Sequence, residues 1–114
     1  PADSVRWTAG PGDATALTRA ALRDGVERVV AVGGDGTFHE VVNGFFAPDG
    51  TPLAPTARLV PIACGTGNDF RRSVEIPEAP DIGALLTRNR VRCIDLLRVS
   101  PTAADGTQPQ RYAL

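Results

Sequence analysis

Residues 29–42 read Val-Val-Ala-Val-Gly-Gly-Asp-Gly-Thr-Phe-His-Glu-Val-Val, and this stretch gives the strongest indication of the fold. The continuous apolar run 29–32 predicts a strand that is buried on both faces. The glycines after it predict a tight turn, and the residues that follow open a helix. A strand that turns directly into a helix leaves backbone N–H groups unpaired and directed at one point. Such a point attracts a phosphate group.

The composition of the glycine turn supports this interpretation. Glycine has no Cβ and tolerates positive φ, so a bulky anion can approach the main chain, and a side chain at Gly36 should not fit. Thr37 and Glu40 form a Thr-x-x-Glu pattern, which predicts a capping box at the helix start. Asp35 would repel a phosphate, so it needs a bound cation, a proton, or hydrogen bonds to the loop. The simpler alternative is that Asp35 only caps the turn.

The rest of the chain predicts alternating helices and strands. Helices are expected at 13–24, 37–44, 69–72 and 81–88, and strands at 29–32, 59–63, 91–99 and from 111 onward, with an exposed loop at 47–57. This alternation implies parallel crossovers, so we expect an α/β fold, a three-layer α/β sandwich with a mostly parallel sheet. Ligands bind at the carboxyl ends of such strands, so residues 34–40 and 65–68 should face one crevice, with Thr8 close enough to join them.

Composition narrows the class of protein. The chain has 114 residues and is 42% hydrophobic, which is enough for one modest domain. Its 12 basic and 13 acidic residues are balanced, so we expect no nucleic-acid partner and no polybasic membrane anchor. No apolar run is long enough to cross a bilayer, and we expect a soluble, cytoplasmic protein. Cys64 and Cys93 lack metal-ligand spacing and are expected to be reduced core thiols.

The glycine turn resembles the Gly-Gly-Asp-Gly-Thr signature of the diacylglycerol kinase catalytic domain family. That family includes sphingosine and ceramide kinases and is more distantly similar to NAD kinases and phosphofructokinases. The turn is not a Walker A loop, because no Lys follows the glycines, and it lacks Gly-x-Gly-x-x-Gly spacing. The resemblance extends over most of the chain, through Thr8 with 12–14, 38–44, 65–70 and 94–96.

The resemblance implies the N-terminal nucleotide-binding domain of a two-domain lipid kinase. Residues 1–114 would be part of that domain, without the family's first strand and its C-terminal β-rich domain. The implied reaction uses ATP and Mg²⁺ to phosphorylate a lipid hydroxyl, with diacylglycerol as the expected acceptor, and we expect this chain alone to be inactive. The lipid implies transient, peripheral contact with a membrane surface. Strand edges left unpaired by truncation also predict a possible homodimer.

Roles for single residues follow from the same resemblance. Asp35 is expected to be catalytic, either through Mg²⁺ or as the base for the lipid hydroxyl. Residues expected to bind the nucleotide are Thr8, Gly33, Gly34, Asp35, Gly36, Thr37, Glu40, Gly65, Thr66, Gly67 and Asn68. Glu40 is favoured as a helix cap over a direct ligand. His39, the only histidine, is expected to point away from the phosphates.

Two other functions stay open at this point. The first is an enzyme similar to NAD kinase, which shares the signature. The second is a noncatalytic module that binds nucleotide or mediates oligomerisation. Binding of ATP without binding of NAD would separate the first from a lipid kinase, and turnover with a lipid acceptor would exclude the second.

Overall fold

The computed structural model describes residues 4–67, 69–76, 81–87, 90–100 and 111–114. Its helices are Asp13–Arg23 (α1), Asp35–Gly44 (α2), Asp69–Ser73 (α3) and Ile82–Thr87 (α4), and its strands are Arg28–Gly33 (β1), Arg58–Ala63 (β2), Leu97–Val99 (β3) and Arg111–Ala113 (β4). The predicted order of elements is therefore confirmed for this part of the chain. No helix in these ranges combines the length and the apolar character needed to span a bilayer.

Strands β1 and β2 form a parallel pair, as the alternating pattern predicted. Val29 lies opposite Leu59, and Gly33 lies opposite Ala63 at the end of the ladder. Parallel neighbours require a crossover, and α2 lies within the segment that connects them. Both glycine turns therefore leave the sheet at the same edge. The described residues form an α/β unit around this pair, and the three-layer sandwich remains a prediction.

The core holds the start of α2 in place. Ala14, Ala31, Phe38 and Val41 form its buried cluster, and Phe38 has an exposed fraction of 0%. The ring of Phe70, in α3, lies tilted against Phe38 with 5.6 Å between ring centroids. Burial of such a ring stabilises the fold by roughly 1.5–3 kcal/mol. The buried side chain of Phe38 thus fixes the position of the glycine turn.

One prediction about β1 is wrong for the described part of the chain. Val30 is 41% exposed and Val32 is 59% exposed, so this strand is not buried on both faces. Ala31, on the opposite face, belongs to the core cluster with residues of α1 and α2. The helices thus cover one face of β1, and an apolar run cannot show by itself which face receives cover.

Helices α1 and α2 approach each other closely. A Cβ on Gly44 would overlap the side chain of Thr18 and lie 2.9 Å from the carbonyl oxygen of Thr15. The Thr15 hydroxyl also donates a hydrogen bond to the Glu40 carbonyl oxygen at 2.8 Å. Glycine at position 44 is therefore required by packing.

Two further expectations need correction. The predicted strand at 91–99 is limited to Leu97–Val99, which pairs antiparallel with Arg111–Ala113. A strand extends only as far as its partner, and β4 is three residues long. Cys64 and Cys93 are free thiols, but both are exposed, because neither lies within a strand or helix that packs on the core.

Candidate nucleotide-binding site

Unpaired backbone amides mark the start of α2. Gly34 is the N-cap in an extended conformation, and the helix begins at Asp35. The N–H group of Phe38 bonds the Gly34 carbonyl oxygen at 3.1 Å. The N–H groups of Gly34, Gly36 and Thr37 donate to no acceptor within the described ranges. All three residues are among those that the resemblance assigned to the nucleotide, and their amides lie at the positive end of the helix dipole.

The loop glycines provide space and do not use positive φ. Among the described glycines, positive φ occurs at Gly12, Gly25 and Gly50, outside the turn. A Cβ on Gly33 would lie 2.6 Å from the Thr37 Oγ1, so the protein itself requires glycine there. A Cβ on Gly36 would meet no described atom within 4 Å. The expectation that no side chain fits at position 36 is therefore wrong for the protein alone, and the space above this residue is open.

Asp35 accepts two backbone hydrogen bonds from the region of the second glycine motif. Its Oδ2 accepts from the N–H of Asp69 at 3.0 Å, and its Oδ1 accepts from the N–H of Phe70 at 3.2 Å. Hydrogen bonding, one of the alternatives raised for this carboxylate, is present, although the donors belong to α3. Each carboxylate oxygen keeps further lone pairs for another partner.

The two glycine motifs meet beside this carboxylate. A Cβ on Gly34 would lie 3.5 Å from the Gly65 Cα, and a Cβ on Gly67 would lie 3.2 Å from the Asp35 Oδ2. Thr66 is exposed next to them. Asn68, the last residue assigned to this loop, lies outside the described residues. The structure thus brings both turns to one crevice.

Glu40 caps a helix, but not its own. Its Oε1 accepts from the N–H of Gly12 at 2.9 Å, and its Oε2 accepts from the N–H of Ala14 at 3.2 Å, both at the start of α1. The predicted capping box is wrong, because Gly34 and not Thr37 is the N-cap and no side chain bonds the first turn of α2. Because α2 begins before Thr37, the Glu40 carboxylate extends to the start of α1 and not to the start of its own helix.

Thr8 is not brought to the turns by any hydrogen bond between described residues. It is exposed and precedes α1. The Asp13 Oδ2 accepts from the N–H groups of Ala9 and Gly10 at 2.7 and 3.1 Å, which folds this segment back onto α1. Contact of Thr8 with a nucleotide stays a prediction.

An open cavity of about 460 Å³ lies beside Asp35. Its walls combine a polar set, Asp35, His39, Asp69, Ser73 and Asp95, with an apolar set, Phe70, Val74, Ile94, Ala113 and Leu114. His39 lines this cavity, but Gly34, Gly36 and Thr37 do not, so the expectation that His39 points away from the phosphates stays a prediction. His39 lies four residues after Asp35 on α2, so both side chains project from one face. The shared face depends on a helix that begins at Asp35, before the predicted start at residue 37, so the sequence pattern did not indicate it.

The residues present fit a metal ion that arrives with a nucleotide. No group of three or more potential metal-ligating side chains occurs among the described residues. Mg²⁺ is commonly held by one or two carboxylates together with substrate phosphates and water. Asp35 and Asp69 line the same cavity and could supply such carboxylates. These two carboxylates suit a Mg²⁺ ion whose remaining ligands come from the nucleotide phosphates and water.

Comparison with known proteins identifies the family. The sequence model of the diacylglycerol kinase catalytic domain matches residues 3–99. The chain therefore belongs to this family, as its two glycine motifs predicted.

Relatives of this chain include three bacterial proteins. A probable lipid kinase YegS-like of Xanthomonas euvesicatoria pv. vesicatoria (strain 85-10) is 41% identical over 97 residues, which cover 83% of this chain and 31% of that protein. A probable lipid kinase YegS-like of Stenotrophomonas maltophilia (strain K279a) is 40% identical, covering 91% and 33%. A probable lipid kinase YegS of Salmonella newport (strain SL254) is 43% identical, covering 84% and 31%. The chain spans about a third of the length of these relatives.

Proposed function

We propose that this chain is the nucleotide-binding part of an ATP-dependent lipid kinase, with diacylglycerol as acceptor and phosphatidic acid as product. The observation that carries the proposal is the set of unpaired amides of Gly34, Gly36 and Thr37 at the start of α2, with the Asp35 carboxylate beside them. Family membership and the names of the relatives support the reaction class.

The chemistry asks mainly for position and charge. In the proposed reaction the oxygen of the lipid hydroxyl bonds to the γ-phosphorus of ATP, the bond to the β-phosphate oxygen breaks, and ADP leaves. The amides of Gly36 and Thr37 would donate hydrogen bonds to the phosphate oxygens and stabilise the negative charge on them. Bound Mg²⁺ would neutralise part of the phosphate charge.

Asp35 is proposed as the catalytic carboxylate. Two backbone N–H groups, from Asp69 and Phe70, donate to this carboxylate and fix its orientation. A fixed carboxylate can orient a metal-bound nucleotide or accept the proton of the attacking hydroxyl. Both roles place it in contact with the reacting groups.

The cavity suits an acceptor that has both polar and apolar parts. Its wall combines the carboxylates of Asp35 and Asp95 with apolar surface from the side chains of Phe70, Val74 and Ile94. The acceptor's acyl chains would remain in a membrane, so the proposal includes transient, peripheral contact with a membrane surface. Pairing of two copies through strand edges, the homodimer expected above, remains a proposal.

The test measures transfer of labelled γ-phosphate from ATP by the full-length protein. Detergent-dispersed diacylglycerol, sphingosine and ceramide are compared as acceptors, with NAD in a fourth reaction. We expect phosphatidic acid as the main product. Phosphorylation of NAD, or ATP binding without transfer to any lipid, would replace the proposal with one of the two alternatives. The 114-residue chain alone should bind ATP without turnover.

A further inference from the structure

Asn43 pairs with the main chain of one distant residue. Its Oδ1 accepts from the N–H of Tyr112 at 2.8 Å, and its Nδ2 donates to the Tyr112 carbonyl oxygen at 2.9 Å. The same Nδ2 also donates to the His39 carbonyl oxygen at 2.7 Å. Because both main-chain groups of Tyr112 face Asn43, they lie on the edge of β4 opposite β3. The Asn43 side chain therefore takes the place of a neighbouring strand.

Other contacts fix Tyr112 to the same region. Its ring stacks on Phe46 with 3.7 Å between centroids and 15° between planes. Its hydroxyl donates to the Gly50 carbonyl oxygen at 3.1 Å, and the residue is only 8% exposed. The position of β4 relative to the end of α2 is thus set by side-chain and main-chain contacts together.

The cavity lies between two such attachments on α2. Asp35, His39 and Asn43 follow one another at intervals of four residues, so they project from neighbouring parts of one helix surface. Asp35 binds the main chain at the start of α3, and Asn43 binds that of β4. Ala113 and Leu114, which line the cavity with His39, directly follow Tyr112.

We propose that Asn43 is a positioning residue for phosphoryl transfer. It lines no part of the cavity, and it acts through the main chain of Tyr112 to hold residues 113 and 114 at a fixed distance from Asp35. The inference rests on the proposed kinase function. A shift of this wall by about 1 Å would misplace the acceptor and reduce turnover on the order of tenfold to a hundredfold, while nucleotide contacts at the start of α2 remain.

The test uses the full-length protein with Asn43→Asp. This nearly isosteric change keeps an acceptor for the Tyr112 N–H but sets a carboxylate oxygen against the Tyr112 carbonyl oxygen. Asn43→Ala removes both bonds to Tyr112 and the bond to the His39 carbonyl oxygen. Alanine is a good helix former, so this variant serves if the first one fails to fold. Thr15→Val is the matched control, because it removes one hydrogen bond to α2 that does not involve Tyr112. The measurements are kcat, the KM for ATP, Tm, and hydrogen exchange of the Tyr112 amide.

We expect faster exchange at Tyr112 in both Asn43 variants and a kcat at least tenfold lower, with the KM for ATP within twofold of wild type. The kcat of Thr15→Val should stay within twofold of wild type, even if its Tm falls as much as the Tm of the Asn43 variants. Unchanged kcat in an Asn43 variant whose Tyr112 amide exchanges faster would overturn the inference. The inference would also be overturned if Thr15→Val lost as much kcat as an Asn43 variant of equal Tm. An inactive wild-type protein would instead contradict the proposed kinase function on which the inference rests.

Discussion

The carboxylate of Asp35 accepts a hydrogen bond from the backbone N–H of Asp69, with 3.0 Å between Oδ2 and N. The two residues are 34 positions apart and belong to the two glycine motifs. This bond connects the segments that follow β1 and β2. Helix α2 therefore supplies both the open amides and the side chain that holds the second glycine motif. The Asp35 side chain therefore links two motifs that are distant in the sequence.

Replacing Asp35 with Asn should reduce activity far more than stability. The change removes the charge and sets an NH₂ group against one of two backbone donors, from Asp69 or Phe70. We expect kcat for lipid phosphorylation to fall on the order of a hundredfold, and stability to fall by about 1–2 kcal/mol. Steady-state kinetics and urea unfolding measure the two effects.

Asp49→Asn provides the control for that change. Asp49 also accepts a backbone N–H, from Thr51 at 2.9 Å, and this bond lowers the pKa of the Asp49 carboxyl. It lies in the loop between α2 and β2, away from the cavity. We expect unchanged kcat, and a matching loss in both variants would argue against a catalytic role for Asp35.

Gly33→Ala should destabilise the protein, whereas Gly36→Ala should not. The new methyl at position 33 would overlap the Thr37 side chain, at a cost of about 1–3 kcal/mol. The methyl at position 36 meets open space, and alanine in a helix is favoured over glycine by about 0.5–1 kcal/mol. Thermal unfolding of the two variants checks the difference, and equal Tm values would contradict the geometry of the turn.

Glu40→Gln should weaken the fold without weakening nucleotide binding. The two carboxylate oxygens of Glu40 accept N–H groups at the start of α1, from the N-cap Gly12 and from Ala14, and glutamine can satisfy only one of them. The expected loss is about 1–2 kcal/mol of unfolding free energy, measured with urea. An ATP affinity that falls while stability holds would instead make Glu40 a direct ligand.

The sequence was sufficient to predict the features that depend on local pattern. Apolar runs between glycines located β1 and β2 and implied their parallel pairing, and the first glycine turn located the open amides. The meeting of the turns also followed, because parallel strands release their carboxyl ends at one edge of a sheet.

Features that depend on the exact start of α2 could not be predicted. The position of Gly34 as N-cap turns Glu40 toward α1 and His39 toward the cavity, and a pattern such as Thr-x-x-Glu does not fix a helix start to the residue. The exposure of Val32 was equally hidden, since it depends on which face of the sheet the helices cover. The bonds from Asn43 to Tyr112 span 69 positions and have no local signal.

The most direct test of the phosphate site is calorimetric titration of ATP into the full-length wild-type protein and its Gly36→Asp variant. The structure leaves room for this side chain in the protein alone, so Tm should change by only a few degrees. A carboxylate placed above the open amides would occupy and repel the phosphates, and we expect ATP affinity to fall at least tenfold. Undiminished ATP affinity in a folded Gly36→Asp protein would contradict the assignment of these amides to the nucleotide.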